Sequence, residues 1–468
     1  MTYIVAISAY LVLLTIFGLI VARKKVKTSD DMVTGGHRIP FIILVGTLLA
    51  TWCGGGGITG SASVVYTGGP WVGLITFAAP PIGIILLYFI AGKVRKSNKV
   101  TVPEIMGARY GKAASIIAAL CVMLAYVGVL ATQLKAAADI IVLLCASSGI
   151  EISHGLALTI CTALIAIITV GGGLVSVAYS DAISALLMIG GFFLAIPFLI
   201  GVANSQGATL PPEKMTITGG MSGWELLGYF LPSLALMLGD QNMLQRFASA
   251  KNSDEAKKSN IGMFIGEILV IISIVLVVTQ AAKLYPTLDV PSNVIFQVAV
   301  DYLPLAFGAL VMCACMAFIV TTADSYLLVS VQTCVHDIGK TIRPQMPERT
   351  EISLSRIFSI VLPLGALVIA LYIHNAYNIL MFAWSFYAAS AGIPAFAALF
   401  WKKATKTGVM AGLLGGFVVC VGWKLAGQPF GLGAAVPGTV ACGIALVVVS
   451  LATYKRAPSV FLKAEKQS

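Results

Sequence analysis

Long apolar runs, divided by short polar punctuation, fill the chain from end to end. A helix crossing the hydrocarbon core of a bilayer needs about 20 consecutive apolar residues. Runs of that kind start near Tyr3, Ile39, Trp71, Ala113, Ser153, Ser180, Glu225, Ile261, Val300, Ile352, Asn378, Gly408 and Gly433. The pattern predicts an all-α integral membrane protein of about 13 transmembrane helices, with residues 1–468 forming a single polytopic membrane domain. Positive charges (Arg23, Lys24, Lys25, Lys27) follow the first run rather than precede it, so it reads as a retained span and not as a secretory signal. The longest polar stretches, 206–223 and 340–351, are loop-sized and offer no soluble module.

Composition agrees. Apolar residues make up 58% and charged residues 10%, with a mean hydropathy of +0.95, whereas soluble domains carry about 25% charge. The nine cysteines all lie in apolar stretches without a CxxC spacing and read as buried thiols. His37, His154, His336 and His374 show no metal or triad spacing, and no catalytic constellation marks the chain as an enzyme.

The net charge of +11 would suit a nucleic-acid partner, but its distribution argues otherwise. With the amino terminus outside, alternate loops become cytoplasmic and hold 26 of the 30 Lys and Arg residues; the rest are Lys135, Lys214, Lys283 and Lys424. That bias is the positive-inside pattern. It places the carboxy terminus in the cytoplasm, the chain in the plasma membrane (bacterial inner membrane), and the charge against anionic headgroups. The expected partners are the bilayer and a small solute, with no nucleic acid and no obligatory protein.

Two spans are interrupted. Gly54 to Gly57 follow Trp52 and Cys53 in mid-span, and four adjacent glycines cost a helix interior about 3–4 kcal/mol relative to alanine. A broken helix in hydrocarbon is tolerable where its freed backbone lines a cavity; a small-residue packing seam is the competing account. Pro232 and the pair Gly239-Asp240 punctuate the seventh span. Spans two and seven are five apart, so each opens a five-span half, and the second half runs inverted. Interrupted helices at equivalent places in inverted repeats point to a transporter's midplane site.

In the ninth span Thr321 and Thr322 follow Phe318 by three and four residues, which puts both hydroxyls on the face of its carbonyl. Ala50 and Cys53 are likewise three apart, just ahead of the glycines. Three carbonyls and two hydroxyls would form a five-oxygen cage for a small hard monovalent cation. Back-bonding of the threonines to their own helix is the alternative.

Several stretches together resemble the solute:sodium symporter family: Gly35-Gly36 ahead of ATWCGGGGITG (50–60), TVPEIMGARYG (101–111), VGGGLVSVAYSDAIS (170–184), GDQNMLQRFASAKNSDEAKKS (239–259) and TTADSYLLVSVQTCVHDI (321–338). The resemblance implies a leucine-transporter-like 5+5 core, with inverted repeats over 36–210 and 211–405. One extra helix and a basic loop (1–35) precede it, and two helices and a basic tail (406–468) follow. It also implies Na+ as the coupling ion, held by Ala50, Cys53, Phe318, Thr321 and Thr322. ATWCGGGGITG and GGGLVSVAYSDAIS are most similar to the choline-transporter-like branch. Choline needs an aromatic cage, for which Trp52 and Tyr126 supply two walls. Asp240 and Gln241 stand where that branch tends to place an aromatic.

Candidate solute contacts are Thr51, Trp52, Gly54 and Gly55 at the first break, Tyr126 and Gln133 on the fourth span, Asp240 and Gln241 at the second break, and Trp384 and Tyr387 on the eleventh. Each aromatic serves equally well as helix packing. Ionisable groups within spans are functional candidates by default. Lys135 and Asp139 read as mutual neutralisers. Asp181 either satisfies a helix N-terminus or helps the ion leave inward. Arg246 either anchors to headgroups or closes an inward gate against an acid. Glu267 and Asp324 are relays or paired groups. The expectation is sodium-driven symport of a small organic solute by alternating access; a proton-coupled carrier and a transporter-like sensor are the alternatives.

Overall fold

Backbone groups in hydrocarbon must be satisfied internally, and the chain meets this demand with helices. A computed structural model describes residues 2–25, 34–97, 99–171, 173–372, 376–429 and 432–454. Lys27 and the rest of the loop 26–33, His374 and the basic tail 455–468 lie outside the described residues.

In chain order the helices are α1 (Thr2–Lys25), α2 (Phe41–Trp52), α3 (Gly55–Gly68), α4 (Pro70–Thr76), α5 (Ala79–Ser97), α6 (Val102–Tyr110) and α7 (Lys112–Ser147). Next come α8 (His154–Gly171), α9 (Leu174–Ser205), α10 (Gly223–Gly239), α11 (Gln241–Ala248), α12 (Ser253–Leu284) and α13 (Val294–Asp301). The last are α14 (Leu305–Gln332), α15 (Glu348–Tyr372), α16 (Ala376–Tyr387), α17 (Ile393–Phe400), α18 (Lys406–Leu425) and α19 (Ala435–Ala452). Among the described residues the only strand-like feature is an isolated bridge between Ile39 and Ala250.

Ten helices of the described residues are long and apolar enough to cross a membrane, or eleven when α2 and α3, bent by 57°, count as one span. Two other expected spans differ in kind: α8 is a shorter apolar helix, and the seventh is split at Asp240. Several boundaries also move. The sixth span begins at Leu174 rather than near Ser180, directly after the extended Gly173. The ninth begins at Leu305 behind Pro304, while Val294–Asp301 forms the separate α13. Pro232 does not interrupt the seventh span; it lies inside a continuous α10, and the break falls at Asp240.

α14 is the axis of the molecule. Every residue from 311 to 332 is buried, and the helix packs against α7, α9 and α2. By contrast, α1 and α15 turn Val5, Leu13, Ile357 and Val361 outward, as expected of helices against lipid tails. The loops rich in Lys and Arg meet at one end of the bundle. There Arg95 donates to the Ala250 carbonyl at 2.7 Å, and Arg109 donates to the carbonyls of Ala398 at 2.5 Å and Trp401 at 2.7 Å.

Candidate functional site: two helix breaks and a cleft

The first break follows from the glycine run. α2 ends at Trp52, Cys53 donates its N–H to the Leu49 carbonyl at 3.0 Å, and Gly54 is extended (φ −48°, ψ −178°) before α3 begins. Carbonyls that an unbroken helix would consume are released here. α14 meets them: the Thr322 hydroxyl donates to the Ala50 carbonyl at 2.8 Å. The approach depends on glycine, since a Cβ on Gly54 would lie 2.4 Å from the Thr322 methyl. Thr321 sits one residue away, its hydroxyl 3.5 Å from the Phe318 carbonyl in a weak back-bond. The structure thus brings Ala50, Gly54 and Thr322 together and sets Thr321 on Phe318. All the polar atoms are oxygens, the donor chemistry that suits a hard cation. Among the described residues no cluster of three or more His, Cys, Asp or Glu offers an alternative metal centre.

A small cleft of about 60 Å³ opens beside this break. Trp52, Cys53, Gly57 and Ser61 form one wall; Phe77, Tyr229, Ser233, Glu267 and Trp384 stand around it. The Trp52 and Trp384 rings are stacked, with centroids 5.5 Å apart at 14°. Among the described residues the Trp384 indole N–H has no acceptor. Glu267 accepts a hydrogen bond from the Cys53 thiol at 3.0 Å.

The second break has a different chemistry. Asp240 caps α11 by accepting the Met243 N–H at 3.0 Å. The Tyr126 hydroxyl donates to its other oxygen at 3.0 Å and accepts the Asn242 N–H at 3.2 Å. Tyr387 donates to the Gly239 carbonyl at 2.6 Å. Tyr126 stacks on Tyr387 (5.7 Å, 26°) and meets Tyr326 edge-on (4.7 Å, 62°). Gly239 lets α10 approach the Gly392 backbone, which a Cβ would meet at 2.8 Å.

Of the expected solute contacts, Trp52 and Trp384 line the cleft, whereas Tyr126, Asp240 and Tyr387 close on one another at the second break. Gln241 donates to the Thr333 hydroxyl at 2.9 Å, and Gln133 to the Thr132 hydroxyl at 3.3 Å. Thr51 points the other way, 3.5 Å from Asp181 and 3.4 Å from Ser325. Gly54 presses on Thr322. Gly55 opens α3, and its surroundings lie outside the described residues. Tyr229, Ser233 and Met381 line the cleft without having been singled out. Their signal was spacing: Tyr229 and Ser233 are four apart on one helix face, and Met381 precedes Trp384 by three.

Below the first break Arg246 is fully buried, so it is no headgroup anchor. It donates to Ser325 at 2.7 Å and to Thr47 at 2.9 Å, and it pairs with Asp181 at 3.4 Å. Asp181 also accepts from Thr47 at 2.5 Å. It lies seven residues past the start of α9, beyond the first turn where a helix dipole acts. This cluster ties α11 to α2, α9 and α14 on the basic-loop side of the break. Lys135 and Asp139 pair at 3.3 Å, joined by His154. Asp324 accepts from Thr169 at 2.5 Å.

Comparisons with known proteins follow the same lines. A model of the sodium:solute symporter family matches residues 32–416. The sodium/proline symporter of Haemophilus influenzae is 24% identical over 93% of this chain and 92% of its own. The high-affinity choline transporter 1 of Drosophila melanogaster is 25% identical over 80% of this chain; the match spans 63% of that longer protein. A solved structure of a Na+-coupled sialic acid symporter, substrate-bound and outward-open, superimposes with a TM-score of 0.79 at 17% identity, covering 98% of this chain and 99% of the other. That likeness fixes the fold.

Proposed function

The chain belongs to the sodium:solute symporter family, and we propose that it works as a sodium-coupled symporter of a small organic solute by alternating access. Sodium is the coupling ion. It binds between the first break and α14, on the carbonyls of Ala50, Cys53 and Phe318 and the hydroxyls of Thr321 and Thr322. The observation that carries this reading is the Thr322 hydroxyl bridging to the Ala50 carbonyl at 2.8 Å across the break. An ion placed there draws α2 and α14 together and completes the adjoining cleft, where the solute sits.

The cleft lies on the outer side and the Arg246–Asp181 cluster is the inner seal, so this conformation faces outward. Release inward requires that seal to part. One sodium moving down a ~100 mV potential contributes about 2.3 kcal/mol, and a tenfold gradient adds about 1.4 kcal/mol. Together these sustain accumulation of a neutral solute by several hundredfold. Counting α8 and the broken α10–α11 as spans gives thirteen, with repeats over 36–210 and 211–405, the amino terminus outside and the carboxy terminus in the cytoplasm. Related proteins named for proline and for choline bracket the solute class.

The test is thermal unfolding of the purified protein in sodium against potassium, followed by uptake into liposomes of whichever solute adds further protection. Sodium-specific protection that Thr322→Ala removes is the expected result. A proton-coupled carrier is the competing reading, favoured by the buried carboxyls of Glu267 and Asp324; sodium-free uptake driven by a pH gradient would establish it instead.

A further inference from the structure

Several cations at the basic end of the bundle are answered within the chain. Arg95 and Arg109 donate to carbonyls, and Lys99 and Lys340 pair with Glu104 and Glu351, each at 2.9 Å. One corner differs. Where α1 ends beside the start of α9, a cavity of about 300 Å³ is lined by Lys24, Lys25, Arg38 and Tyr179, with Ile39 and Val175 as apolar walls. Among the described residues no acidic side chain lines it. Like charges gathered in one cavity repel one another unless an anion joins them.

The cavity is built by the fold. The Ser176 hydroxyl donates to the Gly18 carbonyl at 2.7 Å and so docks α1 on α9; a Cβ on Gly18 would lie 2.9 Å from that hydroxyl. Gly35, in the left-handed region at φ +64°, brings the turn ahead of α2 against α9, where a Cβ would meet a Val175 methyl at 3.3 Å. Lys25 is held by Tyr179: its ammonium donates to the phenol oxygen at 2.5 Å and lies 4.3 Å from the ring centre. A second feature says what kind of anion enters. Leu13, Ile16 and Ile20 are exposed and recur with Lys24 at helical spacing, so one apolar stripe of α1 runs down to the cavity. From Leu13 to Lys24 it measures about 16 Å at 1.5 Å per residue, close to half of a hydrocarbon core about 30 Å thick.

We propose that this cavity binds the phosphate group of an anionic phospholipid, with an acyl chain lying along the α1 stripe. Lys24, Lys25 and Arg38 supply the positive charge, and a phosphate oxygen accepts charge-assisted hydrogen bonds from such donors. The turn that carries Arg38 also clasps this end of the bundle. His37 donates through Nδ1 to the Ala248 carbonyl at 2.5 Å, and Ile39 bridges to Ala250. A lipid seated on Arg38 and the α1 lysines therefore favours the conformation in which that turn stays clasped to the chain after α11. Neither step depends on the sodium site.

The experiment follows thermal unfolding of the purified full chain in neutral detergent, with dioleoyl phosphatidylglycerol, dioleoyl phosphatidylcholine or inorganic phosphate added in turn. Phosphatidylglycerol should raise the unfolding temperature more than phosphatidylcholine does, and inorganic phosphate should leave it unchanged. Lys24→Gln/Arg38→Gln should raise the half-effective concentration of phosphatidylglycerol at least about tenfold, equivalent to about 1.4 kcal/mol. Lys402→Gln/Lys403→Gln removes the same charge from exposed positions in another loop and should leave that concentration unchanged. Unfolding of the cavity variant at the wild-type temperature in phosphatidylcholine reports that it is folded; Lys24→Gln alone, at an exposed position, serves where it is not. The proposal is overturned by equal protection from phosphatidylcholine or from inorganic phosphate, by an unchanged response in the cavity variants, or by an equal loss in Lys402→Gln/Lys403→Gln. Asp30 and Asp31, in the loop between Lys25 and Thr34, are the rival occupants; phosphatidylglycerol without effect on the wild-type chain would give the cavity to them and overturn the lipid site.

Discussion

The two helix breaks solve the problem of exposed backbone in opposite ways. At Gly54 the chain supplies no side chain at all, and the freed Ala50 carbonyl is answered from α14 by Thr322. At Asp240 the chain answers itself: the carboxylate caps α11, Tyr126 serves both Asp240 and Asn242, and Tyr387 takes the Gly239 carbonyl. The first break adjoins a cleft and, on the function proposed above, accepts an ion from outside the chain. The second is locked by three tyrosines and is built to stay as it is. The contrast is between a break answered by a neighbouring helix and a break answered by its own residues.

The sharpest way to break this contrast is Gly54→Leu. Its side chain would enter the space of Thr322, and uptake into liposomes should be lost while the protein still inserts and unfolds cooperatively; preserved uptake would mean that the first break is only a packing seam. Thr322→Ala should raise half-saturating sodium at least about tenfold, or about 1.4 kcal/mol, and Thr322→Ser should restore it. An unchanged sodium requirement in uptake assays would separate α14 from the ion. At the second break the effect should fall on stability instead. Tyr126→Phe removes a hydroxyl that serves two buried partners, and about 1–3 kcal/mol of unfolding free energy should go with it, with half-saturating sodium unaltered. Tyr387→Phe orphans a single carbonyl and should cost about 1 kcal/mol. A shift in sodium affinity for either tyrosine variant would erase the distinction between the breaks.

Much of this was legible in the chain. Apolar run length located most helices, because the bilayer fixes that length, and the glycine run located the first break, because backbone without side chains has few other uses in a span. Pro232 misled, since a membrane helix can absorb a proline that the surrounding turns re-satisfy; here α10 continues through it. Asp181 and Arg246 each carried two readings because spacing along the chain says nothing about contacts between α9 and α11. The solute contacts divided for a similar reason. Tyr126 and Trp384 look alike as aromatics in spans, and only the packing decides that one faces Asp240 and the other the cleft. Glu267 stood out as an ionisable group, but that its neighbours are the Cys53 thiol and the Trp52 side chain is a property of the folded bundle.

The burial of α14 has a mechanical meaning. Thr322 at the first break, Ser325 at the Arg246 cluster, Tyr326 among the tyrosines and Gln332, bonded to Gln245, all belong to one continuous helix. From Thr322 to Gln332 it measures about 15 Å at 1.5 Å per residue. One continuous buried helix therefore carries contacts to both helix breaks and to the Arg246 cluster, so none of the three can shift along it independently of the others.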